Sequence, residues 1–451
     1  MAKQSINIGT SANDGTGSTL REAFDICNDN FTELYGGTTS ALGFKSEGTN
    51  FTGSLLIGHS TTGVINNAQY NVGVGINALD ALTTGDQNVA IGYAAGGLLQ
   101  DGSNNIVIGF GAGDALTSGG NNVAIGSLAL TTENGHGRNI AIGSSALQDQ
   151  DAGADAYNIA IGHEAGKQVT TGERNTIIGG LAGDAITTAS YNVAVGYEAL
   201  SSEDTGNQNV AVGYRALKDL NAGANANNVA VGYLAGENVT SGTHNTLIGS
   251  LAGDALNSGG GNVAIGTEAL SAEDGHGRNI AIGVSALKVQ DAGANAYNIA
   301  VGYEAGQGIT TGNKNVIIGG LAGDALTTGG FNIAIGYAAL STEDGHGHNI
   351  AIGREALFAQ NADAEAYNVA IGDLAGKSVT TGINNTIVGG LAGDALTTGG
   401  RNTVLGMNAL STEDTGGRNV AIGWYALHAQ DTGSDAHNTA VGYFAGGTIS
   451  T

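Results

Sequence analysis

Proline is missing altogether from this chain of 451 residues, and cysteine occurs once, as Cys27. Aromatic residues make up 5%, and Lys plus Arg number 15 against 40 Asp plus Glu, a formal net charge of −25. Each scarcity excludes something. An ordinary domain spends about 5% of its residues on proline. A long chain without any keeps every backbone N–H as a donor, the demand of a continuous hydrogen-bonded ladder. One cysteine leaves no intrachain disulfide framework. A surface this acidic repels nucleic acid and anionic headgroups, so neither is expected as a partner. No run of about 18 apolar residues occurs, which argues against membrane insertion. The opening MAKQSINIGTSANDGTGS carries no apolar stretch of the secretion-signal kind. The expectation is a chain neither exported by that route nor anchored.

What is abundant is glycine, 79 residues, and small or β-branched apolar side chains within a 41% hydrophobic fraction. Any core is therefore thin. The arrangement is a repeat. Asn-x-x-x-Gly-x-x-Ala recurs with Asn at 71, 88, 105, 122, 139, 158, 175, 192, 209, 228, 245, 262, 279, 298, 315, 332, 349, 368, 385, 402, 419 and 438. The spacing is 17, except 19 after Asn139, Asn209, Asn279, Asn349 and Asn419. Three 17s and one 19 make a 70-residue super-repeat, and five of these are read across a shaft spanning 51–451. Ser54, 17 residues before Asn71, reads as a degenerate first rung. The residue after the fixed Ala alternates in pairs between Leu and Gly, as in Leu79, Gly96, Gly113 and Leu130.

Numbering each rung from its Asn as position 1, positions 2 to 4 alternate as a short strand with two faces. Val89 and Ile91, at positions 2 and 4, are expected to point into the coil, stacked about 4.8 Å from their equivalents. Position 3, usually Ala, is expected to face outward. A column of Ala where polar residues would be usual suggests packing against another chain, through Ala90, Ala141, Ala211, Ala281, Ala351 and Ala421. Gly92, Gly162 and Gly232 are assigned to a corner needing positive φ. Asn88, Asn158 and Asn228 are assigned to the opposite corner, left-handed and bonded Asn to Asn along the stack. Where position 3 is large (Ile177, Leu247, Ile317, Ile387), position 6 is small (Gly180, Ser250, Gly320, Gly390), and elsewhere it is often Tyr. Volume compensation predicts that positions 3 and 6 touch, either within a chain or across chains. The predicted fold class is an all-β parallel β-roll or β-solenoid of 17- and 19-residue rungs, on the order of 110 Å long. A coil this slim suggests self-association.

Residues 1–50 lack the repeat. Leu20, Phe24, Cys27, Phe31 and Leu34 fall at heptad spacing behind a Thr19/Glu22 capping box. They predict a short α-helix over about 19–35, too short to stand alone, that docks to a partner or trimerises. Cys27 on its stripe reads as packing.

The Asn-Val-Ala-Ile-Gly-x-x-Ala rungs resemble the head repeat of trimeric autotransporter adhesins of the YadA type. The 17-residue form with Thr83-Thr84-Gly85 and Thr170-Thr171-Gly172 is similar to bacteriophage fibre repeats. The stretch SINIGTSANDGTGSTLREAFDICNDNFTELY resembles the N-terminal module of phage tail-fibre and other virion proteins. The resemblance implies a left-handed roll, a homotrimer, virion proteins as partners at the N-terminus, and a host surface receptor. It implies localisation on the virion surface after synthesis in the host cytoplasm.

Signatures of chemistry are sparse, and neither enzyme activity nor a cofactor is expected. Gly109-Phe110-Gly111-Ala112-Gly113 mimics a dinucleotide loop inside a rung, with no helix to follow. The pairs Glu203-Asp204, Glu273-Asp274, Glu343-Asp344 and Glu413-Asp414 recur every 70 residues and are read as solvated, without a glycosidase cleft. The insertions Asp151–Asp155, Asn221–Asn225 and Asp291–Asn295 suit turns better than Ca²⁺. His346 and His348 are weak metal candidates about a three-fold axis. The function expected is a trimeric structural virion fibre. The alternative is an ice- or surface-binding solenoid adhesin, whose Thr pairs (Thr310-Thr311, Thr327-Thr328) are broken by the polar rungs.

Overall fold

The computed structural model describes residues 44–48, 51–58, 65–223 and 225–450. The predicted helix, with Leu20, Phe24, Cys27, Phe31 and Leu34, lies outside the described residues. The chain divides into two compact units, residues 1–188 and 189–451, each a parallel β-solenoid among its described rungs.

In the first unit, β1 (Phe44–Gly48) runs antiparallel to β2 (Phe51–Ile57). Seven three-residue strands follow: β3 Val72–Val74, β4 Val89–Ile91, β5 Ile106–Ile108, β6 Val123–Ile125, β7 Ile140–Ile142, β8 Ile159–Ile161 and β9 Thr176–Ile178. From β2 onward each pairs in parallel with the next, position for position, as Val89, Ala90 and Ile91 oppose Ile106, Val107 and Ile108. Ser54 takes the Asn position of the first rung, its hydroxyl accepting the Asn71 N–H at 2.8 Å. In the second unit, fifteen such strands, β10 (Val193–Val195) through β24 (Thr439–Val441), stack in the same register. The two-residue insertions fall outside the ladder, since Val210 still opposes Val229 across a 19-residue rung.

The strands are short because position 5 turns the chain at once. Gly92 has φ 134°, and a Cβ there would sit 2.4 Å from the Gly109 carbonyl oxygen, so both conformation and rung spacing demand glycine. Further left-handed residues close the loop at positions 7, 9 and the last of each rung, such as Ala94, Gly96 and Asn104.

The strand faces are the reverse of the sequence expectation. Ala90, Ala141, Ala211, Ala281, Ala351 and Ala421 are all fully buried within their own chain, so they do not form an inter-chain face. Positions 2 and 4 face outward, half-buried or exposed. The interior is too narrow for two β-branched side chains per strand. It takes one small side chain at position 3, the Ala at position 8, and the residues at positions 9 and 12.

Volume compensation operates, but between positions 3 and 9. A Cβ on Gly166 or Gly183 would meet Ile177 Cδ1 at 2.9 and 3.4 Å, and one on Gly236 or Gly253 would meet Leu247 at 2.7 Å. The paired Leu/Gly alternation thus makes room for one large position-3 side chain per super-repeat. Position 6 points away from it: Tyr197, Tyr233, Tyr303 and Tyr337 are exposed while Ile177, Leu247 and Ile317 are buried, so the expected contact between positions 3 and 6 does not form.

The Asn column lies inside the coil. Asn88, Asn158 and Asn228 are fully buried, and the left-handed residue is the one before each: Gln87, Tyr157 and Asn227. Each Asn side chain spans two neighbours. Asn71 Oδ1 accepts the Asn88 N–H at 2.9 Å, while Asn88 Nδ2 donates across the rung to the Gly102 carbonyl at 2.9 Å. Direct amide-to-amide bonds occur at Asn88 to Asn71 (3.0 Å) and Asn105 to Asn88 (3.1 Å). In the 19-residue rungs the crossing bond is lost, and the Nδ2 of Asn139, Asn209, Asn279, Asn349 and Asn419 has no partner. The insertion has displaced the carbonyl that would receive it.

Candidate interaction face

With position 3 buried, the outer surface of the strands belongs to positions 2 and 4. Position 2 is Val, Ile or Thr in all 22 rungs, and position 4 is Val, Ile or Leu in all of them. Ile91 is 40% exposed, Ile318 37% and Leu405 46%. Scattered apolar surface residues are ordinary, whereas a contiguous row marks an interaction surface.

Aromatic side chains flank the row on both sides. At position 6, Tyr93 stacks on Phe110 at 5.3 Å, Tyr197 on Tyr214 at 5.8 Å, Tyr214 on Tyr233 at 5.4 Å, and Trp424 on Tyr443 at 4.9 Å. At the last position, Phe331 stacks on His348 at 5.1 Å, and His348 lies against Tyr367 at 4.9 Å. Arg138 and Arg278 each lie over the next rung's tyrosine, Tyr157 or Tyr297. Charges are interspersed: at position 7 Arg215 bonds Glu198 at 2.7 Å and approaches Glu237 at 3.6 Å, and within the position-6 column itself Arg354 pairs with Asp373 at 2.9 Å. In cross-section this is an apolar row flanked by columns that mix aromatic and charged side chains.

The two histidine candidates are not equivalent. His348 sits in the rim column with Nδ1 2.8 Å from Glu365 Oε2, and this contact lowers the Glu365 pKa. His346 faces Glu343 instead, at 3.9 Å.

The acidic pairs also divide. Asp274, Asp344 and Asp414 are exposed, but Glu203, Glu273, Glu343 and Glu413, with Glu133, are fully buried. They occupy position 12, where other rungs carry Leu82, Leu99 or Val169. The solvated reading therefore holds for those aspartates and fails for the glutamates. The signal was available: counting from Asn places each glutamate in the apolar column. Burial raises the pKa of Glu133, Glu203 and Glu273, and pushes Glu343 up to about 7.

The insertions are turns, with Gly153, Gly223, Gly293 and Gly433 left-handed at φ 63–69°. Asp155 accepts the Gly137 N–H at 3.1 Å and pairs with Arg138 at 3.3 Å. The Thr hydroxyls are committed to stacking: Thr310 donates to the Thr327 carbonyl at 3.2 Å and Thr327 to that of Asp344 at 2.6 Å. The chain is a repetitive β-solenoid scaffold, of a kind with fibrous and adhesin-type proteins in general. No protein-family model matches it, and no characterised protein or solved structure matches it significantly.

Proposed function

We propose that this chain is a structural fibre protein of a virion, associating as a homotrimer through the outward row of positions 2 and 4. The observation behind it is the uninterrupted apolar column at position 4 in a chain of net charge −25. A second copy of the chain is the partner that matches this face, because its row has the same 17- and 19-residue period. Covering two half-exposed β-branched side chains per rung recovers about 1–2 kcal/mol per rung. Summed over several rungs, that exceeds what association costs.

In this role the chain is mechanical and not catalytic. Residues 1–50 dock it to the particle, and its side loops or far end meet the host surface. The virion assignment comes from the resemblance of the rungs and of the opening stretch to phage fibres. The Thr arrays favour a scaffold over ice binding, since their hydroxyls bond within the stack.

Sedimentation equilibrium of the full chain tests the assembly. The expected mass is about three times 44.6 kDa, falling to one chain when Ile282, Ile335 and Ile371 are all changed to Glu. A wild-type monomer overturns the trimer. Mass spectrometry of purified particles from cells expressing the chain tests the virion role, which its absence from those particles overturns.

A further inference from the structure

The buried glutamates at position 12 form two classes. In all five, one carboxylate oxygen accepts the backbone N–H three residues on: His136, His276 and His346 at 3.1 Å, Gly206 at 2.6 Å and Gly416 at 2.7 Å. The second oxygen differs. Glu203 Oε2 receives the Ala222 N–H at 3.3 Å. Glu413 Oε2 receives Gln430 Nε2 at 3.0 Å, the Thr432 N–H at 3.2 Å and the Thr432 hydroxyl at 3.1 Å.

Glu133, Glu273 and Glu343 have no hydrogen bond to Oε2, although all three are fully buried. Burial raises the pKa of Glu133 and Glu343, and the Ala152 and Ala362 amides lie near enough to act against that rise, yet close no bond of ordinary geometry. These three glutamates are the ones followed by histidine. His136, His276 and His346 present Nδ1, itself buried and without a partner, 3.8, 3.8 and 3.9 Å from the glutamate Oε1. That separation is too long for a hydrogen bond. A third carboxylate completes each group, Asp151, Asp274 or Asp344, and the ligand atoms of each group lie within 4.8 Å of one another.

We propose that Glu133–His136–Asp151, Glu273–His276–Asp274 and Glu343–His346–Asp344 are three related sites for a divalent transition-metal cation of the Zn²⁺ type. They share the Glu and His, and take the third carboxylate from the next rung in the first and from the residue after the glutamate in the other two. Imidazole nitrogen with carboxylate oxygen is a donor set that such ions favour and that Ca²⁺ and Mg²⁺ do not. Two ligands on a tetrahedral ion with bonds of about 2.0–2.1 Å stand about 3.4 Å apart, so Nδ1 and Oε1 need move only a few tenths of an ångström. The ion neutralises a buried carboxylate and supplies the partner that Nδ1 lacks. Each histidine side chain is about one-third exposed, so the buried Nδ1 lies just beneath the surface. The Glu203 and Glu413 rungs have Gly206 and Gly416 in place of His and already meet their carboxylates with protein donors. Glu413, Asp414 and Asp431 also cluster, but as an all-oxygen set without imidazole, so they are outside the proposed class.

The test is isothermal titration of tag-free, chelator-stripped full-length protein with ZnCl₂. The expected stoichiometry is three per chain, two in His276→Asn, and none of this class in the triple variant His136→Asn, His276→Asn, His346→Asn. Glu273→Gln gives a second route to two. It keeps the fold, because Gln150, Gln290, Gln360 and Gln430 occupy the same position in the following rungs. Zn²⁺ should also raise the melting temperature of the wild type and not of the triple variant. Absence of binding, or binding that the histidine variants leave unchanged, overturns the proposal.

Discussion

The two faces of one three-residue strand behave as different regions of the molecule. Inward, position 3 is Ala in 15 of 22 rungs, and Ile177, Leu247, Ile317 and Ile387 there each have glycine at position 9 of their own and the preceding rung. Outward, position 4 is always a β-branched or Leu side chain, left partly in contact with water. On the strand, bulk is thus limited inward and present outward. Stability within each unit comes from the small strand side chains, the Leu, Ile and Val of positions 9 and 12, and the Asn column.

The contrast can be broken most severely from inside. Ala281→Glu places a charge between Ala264 and Ala300 with no partner, and several kcal/mol of stability should be lost. Urea unfolding followed by circular dichroism should show the loss, whereas Ile282→Glu, one residue on, leaves the curve within about 1 kcal/mol.

Next in size is the compensation between positions 3 and 9. Gly253→Leu overpacks against Leu247 and Leu256 and should cost about 1–3 kcal/mol. Leu247→Ala opens the same space. In a double-mutant cycle the pair should be more stable than the sum of the singles by at least about 1 kcal/mol. Strict additivity would mean that the two positions do not share a cavity.

A smaller effect separates the faces by pH. Desolvation raises Asp254 from 3.8 to about 6, and burial raises Asp114 and Asp394 at the same position 10. A carboxyl raised on folding destabilises the fold once it ionises. Its contribution is full below about pH 4 and is lost as pH rises through about 6. The wild type should therefore gain melting temperature between pH 7.5 and 5 by more than Asp254→Asn does. Equal pH profiles would remove Asp254 as the cause. The least effect is expected on the outer rim, where Tyr214→Ala breaks two stacks and should cost under about 1 kcal/mol of chain stability. Sedimentation velocity would show whether it weakens association more than folding.

Much of this was legible in the chain. The period fixes a rung, absent proline allows the ladder, and Gly at position 5 announces the corner. The Leu/Gly pairing even records the volume compensation, but sequence alone offered position 6 as the partner because its size varies in the opposite sense to position 3. Alternation also says that two faces differ without saying which is inside. Convention assigns the larger apolar residues to the core, and that convention fails when a coil of 17 residues has no room for them. The buried glutamates were misread for a related reason: a Glu-Asp pair looks solvated until the rung count puts its first member in the apolar column.

The sequence by itself determined a parallel solenoid, its rung length and the super-repeat, since these follow from spacing and from the backbone conformation that Gly at position 5 permits. Only the tertiary structure decided which face is interior, which side chains compensate one another, and which carboxylates lose water. Those depend on the cross-section of the coil, a distance that no local pattern encodes.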